Sequence, residues 1–328
     1  MLRYPHTPSP NLYQDMLQTI RIRAGVLLQL PSQEHIRTHI LSRNIMKSSL
    51  FSARIEGNTL TLETFNHSTP TLSQKKQEVV NILDCLQSLS LLPSKLTPKD
   101  ILTLHRKVIH NLPGKTGFRT ETTAVFDQYG QARYITPPPA DMRTMLRIFL
   151  KQINEKRDLE SALIHALCSH YYFEKIHPFV DGNGRTGRVL LQYLLYKLHL
   201  FGDHVLPIEE YLEHHRHTYY AFLEKNTREV SEFVRFMLDG LLWAINTTID
   251  ELAQSVNVPQ LPPTSLLSPR RQEVLAIIKD HSFISFDTIA RRFPSIPKRT
   301  LFHDVVYLIR CGVVQKYGVT RGASYSAV

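Results

Sequence analysis

The chain has 328 residues, of which 42% are hydrophobic and 21% are charged, and its formal net charge is +10. These proportions are typical of a globular protein with one main core and a smaller appended domain. The N-terminus lacks the apolar run of a signal peptide, and no apolar stretch is long enough to span a membrane, so we expect a cytoplasmic protein. Three cysteines, an odd number, indicate a reducing compartment.

Amphipathic patterns, with apolar residues three and four positions apart, dominate the first 252 residues and predict helices. Two β-rich pieces around residues 127–131 predict a hairpin, and the prolines at 137–139 cannot extend a paired strand. The main domain is therefore predicted to be a mainly α bundle with one hairpin. The predicted helices cover residues 11–30, 36–51, 75–90, 99–110, 142–155, 161–176, 184–200 and 231–252.

A separate C-terminal domain is predicted after the proline-rich residues 258–265, which are typical of a stiff linker. Three helices are expected there, followed by two β-like pieces around Gly318 and Gly322. Their order and size resemble a winged helix-turn-helix. The three helices are predicted at residues 269–280, 286–293 and 297–311.

The third of these helices begins with basic residues. Lys298, Arg299 and Thr300 open it, and His303 follows one turn later. Such a start predicts contact with DNA phosphates and major-groove edges, although the net charge alone indicates only non-specific attraction. Winged helices also act as dimerisation or protein-docking modules, so DNA binding and docking both stay open. Three further arginines lie outside this helix: Arg291, Arg292 and Arg321.

The segment with the most chemistry lies at residues 177–188. Gly182 and Gly184 permit backbone conformations in which amides point inward at the start of the following helix, and such a helix N-terminus binds anions. Arg185 and Arg188, at i and i+3, can each fork onto phosphate oxygens. The segment reads His177-Pro178-Phe179-Val180-Asp181-Gly182-Asn183-Gly184-Arg185-Thr186-Gly187-Arg188.

Two further side chains complete the predicted site. Asp181 offers one hard oxygen ligand, and Mg²⁺ is usually held by one or two carboxylates together with substrate phosphates. His177 has a pKa suited to accepting a proton from an attacking hydroxyl. A glycine pair alone often marks an ordinary turn. The combination predicts phosphoryl or nucleotidyl transfer.

This segment resembles the signature of the Fic family, His-Pro-Phe-x-Asp/Glu-Gly-Asn-Gly/Lys-Arg-x-x-Arg, at every fixed position. The resemblance implies a protein adenylyltransferase that moves AMP from ATP to a Ser, Thr or Tyr hydroxyl of a protein, itself included, and releases pyrophosphate. The phosphorylating Doc branch has Lys where this chain has Gly184, which favours AMP transfer.

The resemblance also implies a role for each residue of the motif. His177 deprotonates the target hydroxyl, and Asp181 holds Mg²⁺. Phe179 anchors the loop in the core. Asn183 and the amides of Gly182 and Gly184 contact the α-phosphate region, and Arg185 and Arg188 contact the β- and γ-phosphates.

An upstream motif, Ser52-Ala53-Arg54-Ile55-Glu56-Gly57-Asn58, lies at the predicted end of a helix, with Gly57 as a plausible C-cap. Alone it is typical of a solvated helix end. Beside the motif above it resembles the inhibitory motif of the Fic family, Ser/Thr-x-x-x-Glu-Gly/Asn. That resemblance implies that Glu56 pairs with Arg188 and blocks the γ-phosphate site, and that Glu56 activates water for AMP removal in some members.

Two regions around this site have implied roles as well. In Fic proteins a hairpin flap at the position of the predicted hairpin aligns the target, here through Val125, Ile135 and Thr136. The alternative is a structural hairpin that covers core. Residues 210–223 resemble the helix that walls the nucleotide pocket, with Tyr211 and Tyr220 as candidates for contact with adenine or ribose.

The predicted organisation is a helical region with the inhibitory helix (residues 1–95), a Fic catalytic core (96–256), a linker (257–267) and a winged helix domain (268–328). The alternative function is a DNA-binding transcriptional regulator whose Fic core senses nucleotide. The unbroken motif favours the enzyme, because a decayed site would lose His177, Asp181 or an arginine first. The oligomeric state stays open, a homodimer included.

Overall fold

The computed structural model describes residues 3–29, 34–67, 73–126, 131–257, 268–281, 283–310, 313–318 and 323–327. The chain divides into two compact units. Met1–His67 and Leu72–Ala253 belong to the first, and Gln254–Val328 belong to the second. The predicted linker lies, except for Asn257, outside the described residues.

The first unit is mainly helical, and each helix predicted there overlaps an observed one. Its strands β1 (Ala124–Phe126) and β2 (Ala132–Ile135) pair antiparallel, with Val125 opposite Tyr134. The predicted turn of this hairpin, residues 127–130, lies outside the described residues. The helices are α1 (Gln14–Gln29), α2 (Glu34–Ile55), α3 (Leu62–His67), α4 (Gln74–Gln87), α5 (Pro98–Val108), α6 (Pro139–Asn154), α7 (Leu159–Ile176), α8 (Asn183–Tyr196), α9 (Ile208–His214), α10 (Arg216–Glu224) and α11 (Ser231–Asn257).

Local sequence signals explain where several helices begin. The Thr97 side chain accepts from the amide of Asp100 and the Asp100 carboxylate accepts from the amide of Thr97, a capping box that starts α5. Asp158 caps α7 in the same way through the amide of Ser161. Pro139 occupies the first position of α6, where its missing N–H has no helical partner to lose.

The region after residue 207 differs from the prediction. A single helix over residues 210–223 was expected, but the structure has two, α9 and α10, with His215 between them at φ −110° and ψ 30°. The amide of His215 donates to the carbonyl of Tyr211, and the His215 Nδ1 atom lies 2.9 Å from the same oxygen. A local side-chain contact to the backbone therefore competes with helix continuation. The short helix α3 was not predicted either.

Helix α7 lies at the centre of the first unit, and its residues from Leu163 to Ile176 are almost all buried. Leu167 belongs to a cluster built with α1, α9 and α11, whereas Phe173 belongs to a second cluster with α4, α5 and α6. Because both faces of α7 are packed, its C-terminal end has a fixed position. The loop from α7 to α8 follows directly.

Buried polar contacts fix helix α2 against the rest of this unit. The Ser48 hydroxyl donates to the Glu209 carboxylate at 2.6 Å, and the Asn44 amide donates to the Thr248 hydroxyl at 3.2 Å. Buried polar contacts of this kind favour one packing arrangement. The end of α2, with Glu56 after it, is thus part of the core structure.

The second unit has its own apolar core, which includes Val274, Leu301 and Tyr325. Its sheet has the order β3-β5-β4, with both pairs antiparallel. The sequence predicted the helices and two of the strands and missed the two-residue strand β3. The elements are α12 (Pro269–Lys279), β3 (Ile284–Ser285), α13 (Phe286–Arg291), α14 (Lys298–Arg310), β4 (Val314–Tyr317) and β5 (Ser324–Ala327).

The helices in the described part of the chain are all too short or too polar to cross a membrane.

Candidate active site

The loop between α7 and α8 has a strained, tightly anchored backbone. His177 caps α7 at φ +45°, and Gly182 precedes α8 at φ +77°. Phe179 is fully buried and stacks on His105 with ring centroids 3.6 Å apart. The Asn183 side chain accepts from the amide of Phe179 and donates to its carbonyl. A left-handed residue other than glycine persists only where its surroundings fix it, as here.

Arg119 fixes the backbone at His177. Arg119 is only 1% exposed, and its Nε atom donates to the His177 carbonyl at 2.8 Å. Its Nη1 and Nη2 atoms donate to the carbonyls of Glu121 and Pro137, which lie on either side of the hairpin. One guanidinium therefore joins the loop to both ends of the hairpin, a use that suits its fixed fork of five donors.

The imidazole of His177 is partly buried, in surroundings that favour its neutral form. Burial lowers its pKa to about 4, against smaller opposing effects of a hydrogen bond to the Glu174 carbonyl and of the Glu56 carboxylate. An imidazole that donates one N–H to a carbonyl keeps the other nitrogen free as an acceptor. His177 is therefore available as a base at neutral pH.

Arg188 is paired with the end of α2. Its Nη2 atom donates to Glu56 Oε1 at 2.7 Å and to the Ser52 carbonyl at 2.8 Å, and its Nε atom donates to Ser52 Oγ at 2.9 Å. The residue is 1% exposed. Burial lowers the Arg188 pKa, but Glu56, followed by Tyr219, Glu174 and Tyr220, together raise it by more, so the guanidinium pKa lies above its ordinary value.

Arg185 faces other partners than Arg188. Its Nη1 atom lies 2.6 Å from Glu78 Oε1, on α4, and its Nη2 atom lies 3.0 Å from Asp181 Oδ2. The sequence predicted both arginines at the distal phosphates. In the structure Arg185 joins α8 to α4 and to the loop through Glu78 and Asp181, and its contact with phosphate stays a prediction.

A cavity of about 740 Å³ opens beside this loop, a size suited to a small-molecule ligand. Of the predicted nucleotide ligands, Gly184, Arg188 and Tyr220 line it, and Gly182, Asn183, Arg185 and Tyr211 do not. Tyr211 packs against α11 instead, with its ring 5.4 Å from that of Phe236. The lining residues described are Ile55, Glu56, Gly57, Val125, Arg133, Tyr134, Glu174, His177, Gly184, Arg188, Arg216, His217, Tyr219, Tyr220, Ala221, Leu223 and Glu224.

The hairpin covers one side of this cavity. Val125 lines it, whereas Ile135 is 71% exposed and Thr136 is buried, with its hydroxyl accepting from the amide of Thr123. Tyr134 donates to the Lys175 carbonyl at 2.8 Å. The three predicted flap residues thus lie in three different environments, and only Val125 faces the cavity.

Several residues of the site were not singled out from the sequence. Arg119 lies shortly before the predicted hairpin and was given no role. Glu174 precedes His177 by three positions, almost a full helical turn, and this spacing was a signal that it lies near the site. The others have no local sequence signal, because distant elements deliver them. The residues missed are His105, Arg119, Glu78, His170, Glu174, Lys175 and Tyr219.

Asp181 is the candidate metal ligand. Its side chain is 51% exposed, and it accepts from Arg185 and from the amide of Gly182. The described residues contain no group of three or more His, Cys, Asp or Glu that could hold a metal ion. A carboxylate has about four acceptor positions, so Asp181 fits a Mg²⁺ ion whose other ligands are phosphates and water.

The helical bundle, the anchored loop at a helix N-terminus and the hairpin beside the cavity have the arrangement of the Fic fold. Residues 95–195 match the sequence profile of the Fic/DOC family. The match covers about a third of the chain, and the motif at residues 177–188 lies inside it. Ser52, Glu56 and the second unit lie outside the matched range.

Named relatives are similar to part of the chain. The protein adenylyltransferase Fic of Drosophila grimshawi is 30% identical over 196 residues, which cover 57% of this chain and 36% of that protein. The one from Culex quinquefasciatus is 34% identical over 158 residues, 45% of this chain and 30% of that protein. The chain thus spans about a third of the length of these relatives.

Solved structures share the fold. A Fic family protein from Desulfovibrio desulfuricans G20 superposes with a TM-score of 0.62 at 20% identity, over 99% of this chain and 98% of its own. Fic-1 from C. elegans superposes with a TM-score of 0.60 at 24% identity, over 75% of this chain and 74% of the other.

Proposed function

We propose that the protein is an autoinhibited adenylyltransferase, which transfers AMP from ATP to a Ser, Thr or Tyr hydroxyl of a protein. The observation that supports this most is one cavity lined by a neutral imidazole, His177, and by a buried guanidinium, Arg188. Nucleotidyl transfer requires both a base and an anion-binding group, and this cavity contains one of each. The relatives' name, protein adenylyltransferase, points to the same reaction.

In the proposed reaction, the target hydroxyl loses its proton to His177 while its oxygen bonds to the α-phosphorus of ATP. The bond from that phosphorus to the bridging oxygen breaks, and pyrophosphate leaves with the electron pair. Amides at the start of α8, beside Gly184, and the Arg188 guanidinium hold the negative phosphates. The lowered pKa of His177 favours the neutral imidazole, which can accept the proton directly.

The hairpin is the proposed docking site for the target. Among the described residues its sheet has two strands, so each strand has one edge that no further strand covers. An extended peptide can add to such an edge as a further strand. Val125, which faces the cavity, would then lie beside the bound segment.

Asp181 is the proposed Mg²⁺ ligand, through the carboxylate that projects from the loop. The ion would neutralise charge on the triphosphate and on the leaving pyrophosphate. The contribution of the protein is the position of this carboxylate, which Arg185 and the Gly182 amide hold in place.

Glu56 is the proposed inhibitor. Its carboxylate occupies the Arg188 guanidinium that a γ-phosphate would use, at 2.7 Å. We also propose that Glu56, whose side chain is one-third exposed and lines the cavity, accepts a proton from water during AMP removal.

The test is transfer of label from ATP to protein by the Glu56→Gly variant. Label in the α-phosphate is expected to reach protein, and label in the γ-phosphate is not. A His177→Ala change in the same variant is the control and is expected to lower the rate by about 10²–10⁴-fold. Transfer from the γ position would show phosphorylation instead, and transfer without His177 would refute the assigned base.

For the second unit we propose a winged helix that binds DNA. The supporting observation is that the basic residues around the start of α14, Arg292, Lys298 and Arg299 among them, are exposed. The isolated unit, residues 268–328, is expected to bind duplex DNA with an affinity that falls steeply with salt. If titration with duplex DNA at low salt shows no binding, the second unit is better explained as a protein-docking module. The truncated chain, residues 1–257, is expected to keep its transfer activity if the two functions are separate.

A further inference from the structure

A second carboxyl group, that of Glu174, lies on the wall of the same cavity. It belongs to the last turn of α7, and its side chain is 8% exposed. Its Oε1 atom has no hydrogen-bond partner among the described residues. Among the described residues no Lys or Arg nitrogen lies within 4.0 Å of this carboxyl group. The His170 Nδ1 atom lies 4.0 Å from Glu174 Oε1.

His170 does not supply the missing positive charge. Burial lowers its pKa to about 3, with a further lowering by Arg188, so the imidazole is neutral. Its Nε2 atom lies 2.8 Å from the hydroxyl of Tyr219. A buried carboxylate without a cation or a donor is costly, and such a group keeps its proton instead.

The backbone of α8 makes room for this carboxyl. A Cβ atom on Gly187 would lie 2.1 Å from Glu174 Oε1, closer than any contact allows. On the next turn toward the N-terminus, a Cβ on Gly184 would lie 2.2 Å from Glu56 Oε1. Two glycines of α8, both in the turn before Arg188, therefore accommodate two carboxyl groups.

The charges around Glu174 favour its neutral form. Burial raises the pKa of Glu174 to about 8, and the Glu56 carboxylate adds to this, whereas Arg188 and Lys175 oppose it. The titratable and charged groups that face it are Glu56 from the end of α2, His170, Lys175 and His177 from α7 and its cap, Arg188 from α8, and Tyr219 and Tyr220 from α10.

We propose that Glu174 is a neutral acid in the phosphate-binding wall, which donates its proton as a hydrogen bond to the bound triphosphate beside Arg188. The inference rests on the proposed function, because it requires ATP in this cavity. A neutral carboxyl adds a donor without a negative charge, whereas a carboxylate here would repel the phosphates. It is a positioning residue for the nucleotide, distinct from the inhibitor Glu56.

The consequence is a pH dependence of nucleotide binding that belongs to Glu174. Once Glu56 is removed, ATP binding is expected to favour the protonated carboxyl and to weaken as the pH rises through its pKa. The loss is at most tenfold for each pH unit above that pKa. Replacement by Gln keeps the shape and an N–H donor but does not titrate.

The experiment measures binding of α,β-methylene-ATP, which cannot release pyrophosphate, by calorimetry from pH 6.5 to 9. The parent is Glu56→Gly, compared with the same variant carrying Glu174→Gln or Glu174→Leu. The matched control is Glu160→Gln, a carboxyl on the same helix that forms a surface ion pair with Arg21. Melting temperatures confirm that each variant is folded.

We expect Kd to rise roughly three- to tenfold more between pH 6.5 and 9 in the parent and in the Glu160→Gln control than in the Glu174→Gln variant. At pH 6.5 the Leu variant, which lacks a donor, should bind more weakly than the Gln variant. Parallel pH profiles in all variants, with equal Kd for Gln and Leu, would overturn the inference about Glu174. An analogue that binds none of the folded variants would refute the proposed function instead.

Discussion

Gly184 and Glu56 are fitted to each other: the Cβ atom that Gly184 lacks would lie 2.2 Å from the Oε1 atom of Glu56. The same Cβ would lie 2.9 Å from an Nη1 atom of Arg188. The observed ion pair between Glu56 and Arg188 therefore needs glycine at position 184. The motif position that distinguishes the Doc branch, where Lys stands, is thus also the position that leaves space for the inhibitory carboxylate.

This fit gives a prediction for Gly184→Ala. The methyl group should displace Glu56, so the variant should gain less from a further Glu56→Gly change than the wild-type chain does. Four rates of label transfer, for wild type, each single variant and the double variant, measure the coupling. The alanine changes the phosphate loop in both backgrounds, so its own effect cancels in the comparison. Additive effects would show that Gly184 is independent of Glu56.

The partly buried position of His177 predicts that transfer activity persists over a wide pH range. A base must be neutral to act, and burial lowers the pKa of this imidazole to about 4. Activity is therefore present above that value and lost as the pH falls through it. Removing Glu56, whose carboxylate raises this pKa, should lower it further. At saturating ATP, the turnover of Glu56→Gly is expected to stay level from pH 8 to pH 6.

The measurement is turnover number against pH for the Glu56→Gly variant, with the folded state checked by circular dichroism at each pH. A fall in turnover centred near pH 6.5, the ordinary value for histidine, would contradict this assignment.

Arg119 is predicted to act on catalysis through position. Its hydrogen bond to the His177 carbonyl and its contacts to Glu121 and Pro137 hold the loop and the hairpin together. Arg119→Gln should lower the turnover of the Glu56→Gly variant by about 10²-fold, because a base displaced by 1 Å loses that much. The KM for ATP should change little.

Arg119→Lys, which keeps the charge but not the fork, should recover only part of the turnover. Equal losses of turnover and of ATP affinity, together with a lower melting temperature, would indicate a general loss of folding instead.

The sequence was sufficient to predict most helices of the bundle, because their apolar stripes repeat along the chain, and it marked the loop at residues 177–188 as the candidate site. It could not predict where Arg185 points. Its partner Glu78 lies on α4, more than a hundred positions away in sequence, and only the fold places the two residues together.

The break between α9 and α10 was missed for a different reason. The helical pattern continues through His215, and the contact between this side chain and the Tyr211 carbonyl competes with it. Glu174 shows a third limit. A Glu in a helix normally indicates a solvated face, and its burial follows from packing on both sides of α7, which no local pattern reports.

The central claim is that Glu56 inhibits by occupying Arg188, and the rate of label transfer from α-labelled ATP by Glu56→Gly tests it most directly. An exposed ion pair contributes about 0–1 kcal/mol, so its loss alone would change the rate by at most roughly fivefold. Arg188 is buried, and Glu56 stands in the γ-phosphate position proposed here, so we expect activation on the order of 10²-fold. Adding Arg188→Ala should remove that gain, since the arginine must then bind ATP. Activity of Glu56→Gly equal to or below that of the wild type would contradict the account and would make residues 52–57 an ordinary helix end.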